Sequence, residues 1–308
     1  MIRLTSERTT LAAFAAVVLL GGGNGVSVRF SDHELAPFWG ATLRFAIAAA
    51  ILLAVVLVAR LSLPRGRALV GSVLYGVFAF AGAFGLIYWG LVETPAGVGQ
   101  IILALVPLLT LLLAVAQGLE RFRWRGIAGA LIALAGIVIV FGGRAGTTVP
   151  ILSALAVVGA ATCMAESNVV AKSFPKSHPV ATNAVAMATG AAILLAITLL
   201  TGERMVAPTR PETWLALGYV SIVGSVIVFS LFLYVIARWP ASMSSYVMLM
   251  MPLVTVAVSA VLDHEVVSIA YLIGGSLVLA GVYIGAFTQA LAPTAQPPAP
   301  MVATPGCA

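Results

Sequence analysis

The sequence predicts an all-α integral membrane protein, with ten transmembrane helices arranged as two inverted five-helix repeats. Three observations lead there: the scarcity of charge, a regular succession of long apolar runs, and a series of motifs that recurs 145 residues later.

Charge decides the class. Only 8% of the 308 residues are charged and 61% are hydrophobic, whereas a soluble domain carries roughly 25% charged residues to keep its surface in water. The apolar surplus therefore faces lipid. The formal net charge of +6 does not indicate nucleic acid, because the basic residues stand singly between apolar runs and form no patch. Such spacing fits loop charges that orient a membrane protein. Cys163 lies inside an apolar run and Cys307 near the last residue, so the cysteines form neither a disulfide framework nor a metal site. No cofactor is expected.

A helix needs about 20 apolar residues to cross roughly 30 Å of hydrocarbon. Runs of that kind lie at 10–28, 38–59, 68–90, 95–117, 124–142, 150–170, 180–201, 213–237, 240–262 and 269–289. The first resembles a signal peptide but has no convincing small-residue cleavage site, so it counts as a span. Nothing alternates with period two at barrel length. Residues 1–9 precede the first repeat at 10–142; 143–149 link it to the second at 150–289; the proline- and alanine-rich 290–308 form a disordered tail.

Loop charges set the orientation. With the N-terminus inside, Arg3, Arg8, Arg60, Arg65, Arg67, Arg121, Arg123, Arg125, Lys172, Lys176 and Arg238 are cytoplasmic. The opposite side receives Arg29, Arg144, Arg204 and Arg210. The positive-inside rule then places both termini in the cytoplasm of a bacterial inner-membrane protein.

The repeat carries the functional expectation. Aligning Pro95 with Pro240 pairs Ala96 with Ala241, Pro107 with Pro252, Leu108 with Leu253, Thr110 with Thr255, Glu120 with Glu265 and Gly129 with Gly274. Leu134-Ala135-Gly136 meets Leu279-Ala280-Gly281, and the Ala49–Ala54 string recurs at Ala191–Ala196. With a small loop difference Asn24 meets Asn168. Five spans is an odd number, so the second unit enters from the opposite side. Inverted repeats mark secondary transporters, because exchanging the conformations of the halves turns an outward-open cavity inward.

At these residues the chain resembles the drug/metabolite transporter superfamily, specifically its ten-helix EamA-type exporters. The resemblance rests on Tyr88-Trp89-Gly90-Leu91, Pro95-Ala96, Pro107-Leu108, Thr110, Glu120-Arg121 and the run Gly126 to Gly136, with the second copy from Pro240 to Gly281. Phe38 to Leu53, with Arg44 at its centre, resembles the family's second helix, and the likeness covers nearly all of residues 10–289. His264-Glu265 departs from the family, which usually has glycine before this glutamate. The overall likeness extends to YddG-type exporters of aromatic amino acids. It implies a basket of helices around a central cavity walled by the third, fourth, eighth and ninth helices.

Candidate site residues follow from depth. Ionisable groups in hydrocarbon are costly, and two stand out. Arg44 meets a substrate carboxylate or a helix C-terminus, or else it snorkels or holds a structural ion pair. Glu166 binds an ammonium group or carries a proton, or else pairs with Lys172. Asn24 and Asn168 have a place at an unwound, glycine-rich path or at a simple helix contact. Tyr75, Ala79, Gly82, Leu86 and Trp89 share one helical face, toward an aromatic substrate or toward core and lipid. Gln100 and its repeat mate Ser245, with Ser244 and Tyr246, line the path or bridge helices. Pro107 and Pro252 interrupt helical hydrogen bonds and read as hinges, while Glu120 and Glu265 cap or pair at helix ends.

Three histidines, His33, His178 and His264, fall in loops with no nucleophile beside them, and no Walker loop is present. The expectation is a secondary exporter of small amphipathic metabolites, aromatic amino acids foremost, acting as a monomer or weak oligomer in the bilayer. Its rivals are exporters of other amino acids or drug-like compounds, a lipid-modifying membrane enzyme, and a structural subunit.

Overall fold

In hydrocarbon a backbone must satisfy its own hydrogen bonds, which a helix does within one segment. The computed structural model accordingly contains only helices among the residues it describes, 2–24, 27, 34–94, 96–141, 150–262 and 269–287. The side chain of Gln100, and Arg29, His33, Pro95, Arg144, His264, Glu265, the linker 143–149 and the tail 290–308, lie outside the described residues.

In chain order the helices are α1 (Ile2–Gly22), α2 (Pro37–Val58), α3 (Arg67–Tyr75), α4 (Phe84–Gly90), α5 (Ala96–Leu103), α6 (Val106–Ala116), α7 (Trp124–Phe141) and α8 (Ile151–Ser173). They continue as α9 (Pro179–Thr201), α10 (Pro211–Ser221), α11 (Val228–Ile236), α12 (Ala241–Ser244), α13 (Val247–Leu262) and α14 (Ile269–Val282). π-Helical stretches fuse several of them: π1 (Gly76–Ala83) joins α3 to α4, π2 (Ile222–Ile227) joins α10 to α11, and π3 (Tyr283–Phe287) extends α14. Among the described residues, five continuous rods are long and apolar enough to cross a membrane: Pro37–Val58, Arg67–Gly90, Ile151–Ser173, Pro179–Thr201 and Pro211–Ile236.

Two runs expected as single spans are broken. Between α5 and α6 the chain leaves the helix at Ala104–Leu105. Pro107 explains it: proline has no N–H for the Leu103 carbonyl, and its ring crowds that carbonyl. Between α12 and α13 the break falls at Ser245–Tyr246, whereas Pro252 lies inside α13. There the Ser244 hydroxyl donates to Pro240 O at 3.0 Å and Ser245 to Ser242 O at 2.6 Å, local bonds that compete with the helical ladder.

Lipid gives helices no hydrophobic reason to associate, so small residues and close backbone approach do the work. The extensive pairings are α2 with α9 and α7 with α14. In the second, a Cβ on Gly136 would lie 2.5 Å from Gly274 O, and one on Gly281 would lie 2.5 Å from Gly129 O. These contacts are reciprocal under the sequence repeat, since Gly129 corresponds to Gly274 and Gly136 to Gly281. π1 and π2 also correspond at the same shift. π1 packs on α9, with Gly76 against the Ala186 backbone, while π2 packs on α2.

This packing predicts a sharp contrast between glycines. Gly136→Leu should destabilise by about 1–3 kcal/mol or more through overpacking, whereas Gly218→Leu, where a Cβ meets nothing within 4 Å, should be near neutral. Equilibrium unfolding in mixed micelles measures the difference, and equal costs would contradict the packing described.

Candidate substrate pathway

At one end of the bundle, the start of α3, the end of α8, the start of α9 and the end of α11 surround a cavity of about 50 Å³. Two lysines brace this end. Lys172 Nζ donates to Ile236 O at 3.1 Å and Trp239 O at 2.9 Å, and Lys176 Nζ donates to Ala237 O at 2.5 Å. The Ile236 and Ala237 carbonyls end α11, where ladder partners run out and the helix dipole is negative, so ammonium groups belong there. Nearby, Glu120 accepts the Ser242 amide at 3.1 Å and the Ser242 hydroxyl, capping α12. Sequence reasoning anticipated capping by this glutamate.

The cavity floor is Tyr75, only 1% exposed. Beyond it stands a ring cluster that closes the middle of the bundle. Phe80 meets Tyr75 at 5.5 Å, Phe45 at 4.9 Å and Phe229 at 4.9 Å between centroids, and Phe84 meets Phe45 at 5.0 Å and Phe229 at 5.9 Å. Edge-to-face pairs of this kind are worth about 0.5–1.5 kcal/mol each beyond their buried area. Phe84 and Phe229 are equivalent under the 145-residue shift, so two repeat mates touch. That signal was available in the sequence and was passed over in favour of Trp89.

Arg44 lies beside the cluster, 1% exposed. Its Nε donates to Ser225 Oγ at 2.9 Å and its Nη2 to Gly224 O at 3.4 Å, both in π2. The guanidinium also sits 4.9 Å from the Phe84 centroid and 5.2 Å from that of Phe45. Among the described residues no carboxylate reaches it, so the expected alternatives of snorkelling or an ion pair are both replaced. Neutral oxygens and ring faces hold the cation, and desolvated cation–π contacts contribute about 2 kcal/mol or more. Asn24 packs against Gly224, and among the described residues its buried Oδ1 has no hydrogen-bond partner.

The opposite end is clamped by carboxylates. Glu203 accepts the Phe38 and Trp39 amides at 3.3 and 2.9 Å, at the start of α2. Glu34 accepts the Thr209 and Arg210 amides at 2.7 and 3.4 Å and the Thr209 hydroxyl, at the start of α10. Each carboxylate comes from one half of the chain and caps a helix of the other. Bonds from Thr209 foremost, then Thr213 and the backbone, push the Glu34 carboxyl down to about 2.

The remaining candidates are scattered. Glu166 receives both its bonds from Gln117 Nε2, at 2.9 and 3.0 Å, not from Lys172, which is committed to the α11 carbonyls. Asn168 donates to Thr110 Oγ1 at 3.4 Å between α8 and α6. Ala79 is buried, Gly82 packs on Cys163, and Trp89 is 40% exposed. The single face expected for these residues is broken because π1 advances the register between Tyr75 and Trp89. Ser244 and Ser245 bond within their own turn, and Tyr246 donates to Gly126 O at 3.1 Å between α7 and π3. Among the described residues no His/Cys/Asp/Glu group is arranged to hold a metal.

Residues 8–142 and 151–286 each match the EamA-like transporter family. The chain is 26% identical over 276 residues to the inner membrane transporter YedA of Escherichia coli K12, spanning 88% of this chain and 89% of that one. It is 30% identical over 225 residues to a probable terminal-alkyne amino-acid exporter of Streptantibioticus cattleyicolor, covering 72% and 74% of the two. To the aromatic amino acid exporter YddG of E. coli K12 it is 29% identical over 168 residues, 51% of this chain and 57% of the other. One solved structure superposes with a TM-score of 0.79 at 22% identity over 91% of this chain and 97% of that one, which establishes a shared fold.

The Glu34 clamp has a defined pH signature. Its carboxyl is lowered from 4.5 to about 2 in the folded protein, so its stabilisation is complete above the unfolded value and is lost as pH falls from 4.5 toward 2. Thermal unfolding of wild type and Glu34→Gln should therefore differ by a constant amount from neutral pH to about pH 5 and converge below it. A difference that grows on acidification would contradict the clamp.

Proposed function

This chain belongs to the EamA-like transporter family, and we propose that it exports small amphipathic metabolites, aromatic amino acids foremost, by alternating access of two inverted five-helix halves. The observation that carries the mechanism is reciprocity. Gly129 faces Gly281 as Gly136 faces Gly274, and π1 meets α9 as π2 meets α2, which is what a pseudo-two-fold axis requires of a self-complementary contact. The broken helices α5–α6 and α12–α13 supply one span to each half in this reading, and α1, α7 and α14 with the five rods bring the total to ten. Pro107 and Pro252 remain the hinge candidates.

Chemistry supports the substrate class. Arg44 and Glu166 are the ionisable groups between the helix ends, so a multiply charged solute would lack counter-charges and lose its hydration uncompensated. A zwitterion needs one acceptor and one donor set. The rings of Phe80, Phe84 and Phe229 offer faces to an aromatic side chain, while Arg44 and the unpaired Asn24 Oδ1 offer a cation and an acceptor. Relatives named for aromatic and terminal-alkyne amino acids agree with an amino acid whose side chain is apolar. The inner membrane, with both termini cytoplasmic, is the setting the loop charges favour.

Proteoliposomes should accumulate L-phenylalanine and L-tryptophan, and propargylglycine more weakly. Phe229→Ala removes ring contacts of about 0.5–1.5 kcal/mol, so it should slow L-phenylalanine by roughly two- to tenfold while sparing L-alanine. Transport of sugar phosphates with no response to aromatic amino acids would overturn the reading.

A further inference from the structure

The cavity between α3, α8, α9 and α11 is a separate place from the ring cluster and Arg44, with its own chemistry. Tyr75, 1% exposed, lines its floor, and among the described residues its hydroxyl makes no hydrogen bond. Its rim is Lys176, whose ammonium spends one of three donors on Ala237 O. Its wall is the first turn of α9, a 23-residue helix whose cap residue His178 makes no side-chain bond to the free amides. Ser177, Pro179 and Thr182 of that turn line the cavity.

An unpaired hydroxyl, an ammonium held only by a neutral oxygen and an uncapped helix N-terminus all favour the same guest, a carboxylate. Apolar side chains complete the setting: Phe174, Leu233 and Ile236 lie beside the polar groups. At about 50 Å³ the space admits the head of a solute and not a whole aromatic amino acid, so the apolar part of a guest rests at the mouth.

We propose that this cavity is an entry site that captures the carboxylate end of an amphipathic solute, with Lys176 and the α9 amides on the carboxylate, Tyr75 donating from the floor, and Phe174 against the apolar tail. The site rests on reading the chain as a transporter. It adds an order to the transport path: capture at the lysine end precedes passage of the ring cluster. Lys176 also braces α11, so binding couples to release of that brace. A guest that draws the ammonium from Ala237 O loosens the end of α11 at the moment of loading.

Thiol protection tests this in the full-length chain reconstituted in nanodiscs, with Thr182→Cys added and Cys163 and Cys307 replaced by alanine. 3-Phenylpropionate and L-phenylalanine should slow maleimide labelling about tenfold at roughly ten times their dissociation constants, when only about a tenth of the sites stay free. Phenethylamine, which lacks the carboxylate, should leave the rate unchanged. Lys176→Gln should abolish protection, Lys176→Arg should retain it, and Tyr75→Phe should weaken it with the ring still in place. Protection by phenethylamine equal to that by phenylpropionate, or none by either carboxylate, would overturn the site. Protection without uptake of aromatic amino acids rejects aromatic export and leaves the site standing, while uptake without protection rejects the site alone.

Discussion

Hydrocarbon neither hydrogen-bonds to a polar group nor drives apolar helices together, and both conditions act on every contact in this bundle. The second explains the glycines. Where α7 meets α14, backbone lies against backbone: a Cβ on Gly129, Gly136 or Gly281 would intrude on the facing helix, that on Gly136 against the Gly274 carbonyl. The first explains Arg44. Its charge is buried where water cannot follow, so it takes its bonds from Ser225 and from Gly224, a carbonyl on the π-helical stretch of another rod. A π segment interrupts the regular i→i−4 ladder, and here that interruption coincides with a cation that needs an acceptor.

The two ends of the bundle use one physical device with opposite signs. Glu34 and Glu203 sit at helix N-termini, and Lys172 and Lys176 sit at a helix C-terminus. Contacts of this kind with the helix dipole are modest at the surface and weaken with salt. They hold a conformation without locking it. The middle is different, because the Phe45, Phe80, Phe84 and Phe229 rings pack on one another and on the proposed path would have to repack for a solute to pass. Weak polar brackets at the ends and a tight aromatic centre suit a protein that opens one end at a time.

The membrane class and the helical content were legible in the composition, and the family in motifs that resemble it, such as Tyr88-Trp89-Gly90-Leu91 and Pro107-Leu108, because these signals report on burial and ancestry without any need for tertiary detail. Residue roles were harder to read. Trp89 was placed on the face of Tyr75 by counting at 3.6 residues per turn, and the π1 stretch, which has no compositional signature, turned it outward. Lys172 was the structural alternative offered for Glu166 because the two are close in sequence, whereas the lysine's long side chain serves a carbonyl 64 residues away. Pro107 was rightly read as a helix breaker in local terms, yet Pro252, its repeat mate, stays inside a helix while the break moves to the serines before it. Local chemistry is visible in one dimension; which neighbour answers it is not.

Electron–electron distances between spin labels report directly on whether the two ends move against each other. One pair, at Arg67 and Arg238, spans the lysine end; the other, at Val92 and Glu212, spans the carboxylate end, and all four residues are exposed. Alternating access of two inverted halves predicts that L-phenylalanine shifts the two distance distributions in opposite directions, one end closing as the other opens. Distributions that stay fixed, or that widen together, would contradict it.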